Sequence, residues 1–224
     1  MVPPGAVVAD IGTDHGYLPI HLVQSGQVDQ AIASDVSPGS LAKARQAVVA
    51  AGLEHKISLR LGPGLAVLAP REAPTVVIAG LGPETIADIV GATPKVTAST
   101  KLFLLQPMQN PGQLRRHLNQ LGLTLVDEVL VRERQRFYVI VVVAVGTMPS
   151  FSQELLEIGP CLVAKSDPLL PAYLVQRIDQ EEQVRSEIGT CHGGSAQARR
   201  QLAERRISVW REILDGCQSK LRDG

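Results

Sequence analysis

Asp10-Ile11-Gly12-Thr13-Asp14-His15-Gly16 packs two glycines, two carboxylates and an imidazole into seven residues, directly after the apolar run that starts at Val7. Glycines at the end of a strand let the backbone approach a ligand closely and let the next helix start tightly against the sheet. That helix start offers N–H groups to an anionic part of the ligand. Gly12 and Gly16 are separated by three residues, so the G-x-G-x-x-G spacing of a pyrophosphate cradle is not met. The carboxylate of an amino-acid moiety, as in S-adenosylmethionine, needs less room. Asp35 follows Gly12 by 23 residues at the end of a second apolar run. An acid at that place can accept hydrogen bonds from the two ribose hydroxyls of an adenosine cofactor. Two structural readings stand beside these: a plain tight turn at the glycines, and Asp35 as the start of the helix cap at Ser37-Pro38.

The elements that would position these residues alternate in kind. Val7–Ile11, Ala31–Asp35, Ile57–Leu61, Thr75–Ala79 and Leu102–Gln106 read as short, nearly continuous apolar strands. Gly16–Gln24, Pro38–Ala51, Pro83–Val90 and Pro111–Leu121 read as helices, three of them opened by proline. Such alternation predicts a parallel sheet covered on both faces. Leu123–Val131 and Phe137–Val145 are both strand-like, with only Arg132–Arg136 between them. Parallel neighbours need a crossover of about a dozen residues, so this pair is an antiparallel hairpin. A sheet that finishes this way is the habit of S-adenosylmethionine-dependent methyltransferases more than of nicotinamide-binding domains, and both cofactors stay open.

Past Gly146 the composition changes. A loop-like stretch with Pro149, Gly159, Pro160, Pro168 and Pro171 leads into two polar helices, Leu169–Ile188 and Ser195–Leu221, broken apart at Gly193-Gly194. Their apolar stripes, Leu170, Leu174, Ile178, Val184 and Ile188 against Leu202, Val209, Ile213, Cys217 and Leu221, predict an antiparallel, coiled-coil-like helical hairpin. The expected organisation is a cofactor-binding domain over 1–148 and a helical domain over 149–224.

With 22 basic and 22 acidic residues among 224, no global field announces a nucleic-acid binder. Hydrophobic residues at 45% exclude a disordered chain, and aromatics at 3% leave the core to Val, Ile, Leu and Ala. No run approaches the ~18 apolar residues of a membrane span, so no membrane partner is expected. Three widely spaced cysteines, Cys161, Cys191 and Cys217, match neither a disulfide framework nor a zinc knuckle, which points to the cytoplasm. No histidine–carboxylate spacing suggests a metal site.

Val8-Ala9-Asp10-Ile11-Gly12-Thr13-Asp14-His15-Gly16-Tyr17-Leu18-Pro19 closely resembles the first motif of the bacterial tRNA (adenine(22)-N1)-methyltransferase family. The likeness continues through Ile78-Ala79-Gly80-Leu81-Gly82, through Leu104-Leu105-Gln106-Pro107 with Leu114-Arg115 after it, through Asp127-Glu128-Val129, and into the C-terminal helices. The chain departs from the family in having only Met1 to Ala6 before the first strand, where a helix is usual. It also departs in Gly62-Pro63-Gly64-Leu65, where an acidic residue is usual in place of proline, in Pro83 for glycine, and in Met108 for asparagine.

The resemblance implies an α/β, Rossmann-like, seven-stranded methyltransferase sheet with an antiparallel last strand. It implies S-adenosylmethionine held by Asp10, Gly12, Thr13, His15, Gly16, Asp35, Val36, Gly62, Pro63, Gly64, Ala79 and Gly80, with S-adenosylhomocysteine as product. It makes Asp14 the candidate for stabilising charge on the methylated adenine, with helix capping as its structural alternative. Tyr17 is one of seven aromatics and could stack on the target base or fill the core, and Gln106 could hydrogen-bond the base. Leu81, Gly82 and Pro107 would border the target. Lys101, Arg115, Arg116, Arg132, Arg134 and Arg136 form one basic cluster; Arg199, Arg200, Arg205 and Arg206 belong to a second, where seven basic residues face four acidic ones from Ser195 onward. Either could hold tRNA phosphates. A monomer is expected over a dimer. The competing functions are an NAD-binding Rossmann protein and a weakly active or inactive RNA-binding protein that retains the sheet.

Overall fold

The computed structural model describes residues 1–5, 7–188 and 194–222, with side chains as far as 217. Cys191 and Gly193 lie outside the described residues; Cys161 and Cys217 are half-buried. In chain order the elements are β1 Val8–Ile11, α1 Tyr17–Gln24, β2 Ala31–Asp35, α2 Pro38–Ala50, β3 Ile57–Leu61, a 3-10 turn Gly64–Val67, β4 Thr75–Leu81, α3 Pro83–Gly91, α4 Pro94–Ser99, β5 Leu102–Pro107 and α5 Pro111–Gln120. There follow β6 Leu123–Glu133, β7 Arg136–Val145, α6 Gln153–Ile158, α7 Pro160–Ala164, α8 Leu170–Ile188 and α9 Gly194–Arg222.

The seven strands form one sheet in the order β3-β2-β1-β4-β5-β7-β6. β1 to β5 pair in parallel, and β7 runs antiparallel to β5, with Phe103 opposite Val143. The order reverses between β1 and β4, which is where ligands settle at the carboxyl ends of such a sheet. β1 is buried throughout, and Val8, Ala33, Val77, Leu104 and Val142 share a core cluster with Leu22, Val23 and Val48 from the helices. Proline at the first helical position opens α2, α3, α4 and α5, where its missing N–H costs nothing.

Contacts divide the chain into two compact units, Met1–Glu128 with Val139–Pro149, and Val129–Tyr138 with Ser150–Gly224. The tip of the β6–β7 hairpin therefore belongs with the C-terminal helices. In this second unit Arg206 pairs with Glu181 while Arg177 lies over the Trp210 ring, so α8 and α9 run in opposite directions. Two expectations change here. The stretch expected to be loop carries the short helices α6 and α7, each started by a local device, the Ser152 cap or Pro160. The buried stripe of α9 is Ala203, Ile207 and Trp210 in place of Leu202 and Val209. Trp210 is the largest fully buried side chain and donates its Nε1–H to the Glu154 carbonyl, so burying it sets the rotation of the helix.

Candidate active site

The carboxyl ends of β1, β2, β3, β4 and β5 form one edge of the first unit. Gly12 and Thr13 both donate their N–H groups to the Ser34 carbonyl, at 2.8 and 2.9 Å, which ties the glycine turn to β2. Asp10, at the start of that turn, is buried; burial pushes its carboxyl up to about 6 from 3.8, Thr13 partly opposes this through a hydrogen bond, and the charge of Asp35 adds to it. Gly16 caps α1 at φ 68°, and a Cβ there would lie 3.4 Å from the Ala44 side chain, so glycine serves both the turn and the approach of α2. No side chain caps α1. The capping alternative for Asp14 therefore falls: its exposed carboxylate meets His15 Nε2 at 3.1 Å and Lys43 Nζ at 3.5 Å.

Asp35 accepts the Ser37 N–H at 2.7 Å, and Ser37 caps α2 by accepting the Ser40 N–H at 3.3 Å. The helix-cap alternative for Asp35 is thus realised through one carboxylate oxygen. The Asp35 carbonyl accepts the Gly62 N–H at 3.1 Å, which draws the turn after β3 alongside. Gly62 is required by space, since a Cβ there would lie 2.7 Å from the Val67 side chain. The whole turn, with exposed Pro63 and with Gly64 at φ 51°, is braced from below. Arg60 donates to the Val67 carbonyl and to both Glu72 oxygens, holding the Glu72 carboxyl down at about 2.

Across the order reversal, Gly80 sits at φ 74° where the β4–β5 register shifts between Ala79 and Leu81. Its N–H donates to Gln106 Oε1 at 3.0 Å, and Gln106 Nε2 donates to the Pro107 carbonyl at 2.7 Å. Gln106 thus clamps the two loop backbones, and its expected bond to a base competes with both. Gly82 caps α3 ahead of Pro83. Ala79 and Gln106 also line a cavity of about 380 Å³ with Leu18, His21 and Ile140.

Among the described residues the four most exposed large apolar side chains all stand on this edge: Met108 (72%), Tyr17 (70%), Val36 (68%) and Leu61 (60%). Tyr17 is therefore no core residue; its ring stacks on His15 at 5.1 Å between centroids and 6° between planes. Exposed apolar side chains on the same edge as two carboxylates have the character of a ligand edge. Lys43, Leu61 and Met108 were not among the expected site residues. Met108 stood out only as a departure from the family pattern, and Lys43 and Leu61 sit in no motif; their exposure and contacts reveal them.

Three expected substrate contacts need correction. Arg115 is fully buried and its Nε lies 2.5 Å from Glu128, itself fully buried, so it cannot reach a phosphate. Pro107 is buried, and the exposed neighbour is Met108. Arg206 is held inside the second unit by Glu181 at 2.8 Å and Glu157 at 3.3 Å. Arg205 pairs with buried Glu154 and Arg200 with Glu204, Arg199 is exposed, and Arg116 is half-buried. Among the described residues no His/Cys/Asp/Glu cluster could hold a metal ion, and no helix is long and apolar enough to cross a membrane.

The sheet order, the antiparallel β7, the glycine turn after β1 and the acid closing β2 define a class I S-adenosylmethionine-dependent methyltransferase fold. Within that class, the chain belongs to the tRNA (adenine(22)-N(1))-methyltransferase family, whose profile matches residues 8–212. It is 30% identical to the tRNA (adenine(22)-N(1))-methyltransferase of Bacillus subtilis (strain 168), over 96% of this chain and 92% of that one. A Streptococcus pneumoniae protein of the same fold superposes with a TM-score of 0.85 at 32% identity, covering 96% of this chain and 95% of its own. The crystal structure of that protein in complex with S-adenosyl-L-methionine gives a TM-score of 0.82, again at 32% identity, with 96% and 94% coverage.

Proposed function

We propose that the protein methylates N1 of an adenine, at position 22, in bacterial tRNA, using S-adenosylmethionine. The observation that carries this reading is the sheet edge itself, where Tyr17, Val36, Leu61 and Met108 are exposed on the same edge as Asp14 and Asp35. The half-exposed Asp35 has one oxygen left for ribose hydroxyls once Ser37 has taken the other. Val36 and Leu61 offer the adenosine base an apolar bed beside it. The start of α1 at His15-Gly16, with no acidic residue in its first turn, favours the methionine carboxylate. Asp10, buried in β1 just ahead of the glycine turn, suits the ammonium. These residues fit the cofactor, which when bound supplies an electrophilic methyl on a sulfonium.

Adenine N1 carries an in-plane lone pair and needs no base to free it, so the protein's tasks are alignment and exclusion of water. N1 lies on the Watson–Crick edge, so the nucleotide must leave its stack to present it. Tyr17, already parallel to His15, is the platform onto which the extracted base stacks. Asp14 faces the positive charge that develops on the base, and His15 and Lys43 fix its carboxylate in place. Gln106, by clamping Gly80 to Pro107, keeps the Gly80-Leu81-Gly82 turn open for the target. The reaction belongs to the cytoplasm, where tRNA is modified.

The test is transfer of labelled methyl from S-adenosylmethionine to bulk unmodified tRNA, beside calorimetric titration with S-adenosylhomocysteine and NAD. Labelled tRNA and binding of S-adenosylhomocysteine alone are expected. Binding of NAD alone would overturn the reading, and cofactor binding without transfer would favour an inactive RNA-binding protein.

A further inference from the structure

We propose that the tip of the β6–β7 hairpin, Arg132, Arg134 and Arg136, is a preformed site for the phosphate backbone of the RNA substrate. The inference rests on tRNA being that substrate, and it concerns which part of the protein grips it.

In α9, Arg200, Arg205, Arg206 and Arg211 each meet a glutamate of the second unit: Glu204, Glu154, Glu181 with Glu157, and Glu182 respectively. Glu154 and Glu157 are buried, so the arginines facing them neutralise charges that have lost their water. Those guanidiniums could bind phosphate only by abandoning buried carboxylates. In the first unit Arg115 is spent in the same way on Glu128.

The hairpin tip differs. All six residues from Val131 to Arg136 are exposed, three of them are arginines, and Glu133 is the single acid. No carboxylate pairs with Arg132, Arg134 or Arg136 among the described residues, whereas Arg200, Arg205, Arg206 and Arg211 of α9 are each paired. The Arg132 guanidinium and the turn's backbone are also held still. Arg132 lies over the Phe137 ring at 5.5 Å and donates its Nε–H to the Arg134 carbonyl at 3.1 Å. Phe137 packs edge-on against Tyr173 of α8, and Gln176 of α8 donates to the Gln135 carbonyl at 3.1 Å. Only Arg134-Gln135 connect the strands, with Arg134 at φ 54°. A short turn braced at both flanks loses little further freedom on binding, which favours affinity. Three guanidiniums within five residues match successive phosphates, which Arg binds through its planar fork. Such contacts hold the RNA without reading its sequence.

The experiment measures tRNA affinity of the full chain by fluorescence anisotropy over a series of salt concentrations, with S-adenosylhomocysteine affinity measured in parallel. The variants are Arg134→Ala/Arg136→Ala, which spares the arginine that packs on Phe137, and Arg134→Lys/Arg136→Lys. Each lost phosphate contact lowers the slope of log affinity against log salt by about 0.7 to 0.9, so the alanine pair is expected to lose about 1.4 to 1.8. The lysine pair is expected to keep the wild-type slope, and cofactor affinity is expected to stay constant in both. A wild-type slope in the alanine pair overturns the proposal, as does a slope that the lysine pair fails to retain. A wild-type protein that binds tRNA through this hairpin yet transfers no methyl would defeat the proposed function and leave the grip standing. Unaltered binding in the alanine pair with methyl transfer intact would do the reverse.

Discussion

Asp35 binds the Ser37 N–H through Oδ1 at 2.7 Å and is assigned to the ribose through its other oxygen, and the two duties separate by substitution. Asp35→Asn keeps an acceptor for Ser37 but loses the charge, so thermal stability is expected to hold while the cofactor dissociation constant rises. A hydrogen bond to a charged group is worth about 1.5–3 kcal/mol, or roughly a tenfold to hundredfold rise. Wild-type affinity in calorimetry would remove the ribose assignment. Asp14→Asn is expected to leave cofactor affinity within a fewfold and to depress turnover, measured with saturating tRNA. Asp10 adds a pH dependence. Its carboxyl, at about 6 in the fold against 3.8 in the unfolded chain, contributes stability that is complete below pH 3.8 and is lost as pH rises through 6. The charged form at pH 8 costs about 3 kcal/mol by that displacement, so Asp10→Asn is expected to stabilise the cofactor-free protein at pH 8, with the gap narrowing toward pH 4. Urea titrations at the two pH values check this. An ammonium beside Asp10 favours the carboxylate, so wild-type cofactor affinity is expected to tighten between pH 5 and 7 and Asp10→Asn to be flat.

The α5–β6 contact carries the sharpest expectation among the elements. Removing one partner of a buried ion pair leaves the other charge stranded, so Arg115→Ala is expected to cost about 3–5 kcal/mol in urea denaturation. An unchanged midpoint with weakened tRNA binding would return Arg115 to the surface role that its place in a basic cluster suggested. That misreading shows where the sequence stops being legible. Arg115-Arg116 looks like surface charge because nothing local marks Glu128, 13 residues on in a strand, as its partner. The strands were legible to within about two residues because β1 to β5 are short apolar runs punctuated by glycine and proline. The hairpin was legible because its connection was too short for any other pairing. Helices α6 and α7 were hidden by their shortness and by the Gly159-Pro160 pair between them. In the site, glycine spacing exposed the turn after β1, whereas Lys43 and Leu61 join it only through folding.

For the whole molecule, chemistry is assigned to the first unit and the hold on RNA to the second. The hairpin tip clusters with the C-terminal helices, so cutting the chain after Pro149 would also strip Val129–Tyr138 of its packing partners. Point substitutions that preserve both units are the cleaner probe of that division. A hairpin variant is expected to raise the KM for tRNA with kcat nearly intact, and Asp14→Asn to lower kcat with KM nearly intact. The central claim, that this edge methylates N1 of a single tRNA adenine, is tested most directly by mapping the product. Unmodified tRNA is incubated with the protein and S-adenosylmethionine, then reverse-transcribed, since N1-methyladenine blocks Watson–Crick pairing. The expected result is one new stop at adenine 22, absent when guanine replaces that base and nearly absent with Asp14→Asn; methylation elsewhere, or an equal stop with Asp14→Asn, would contradict it.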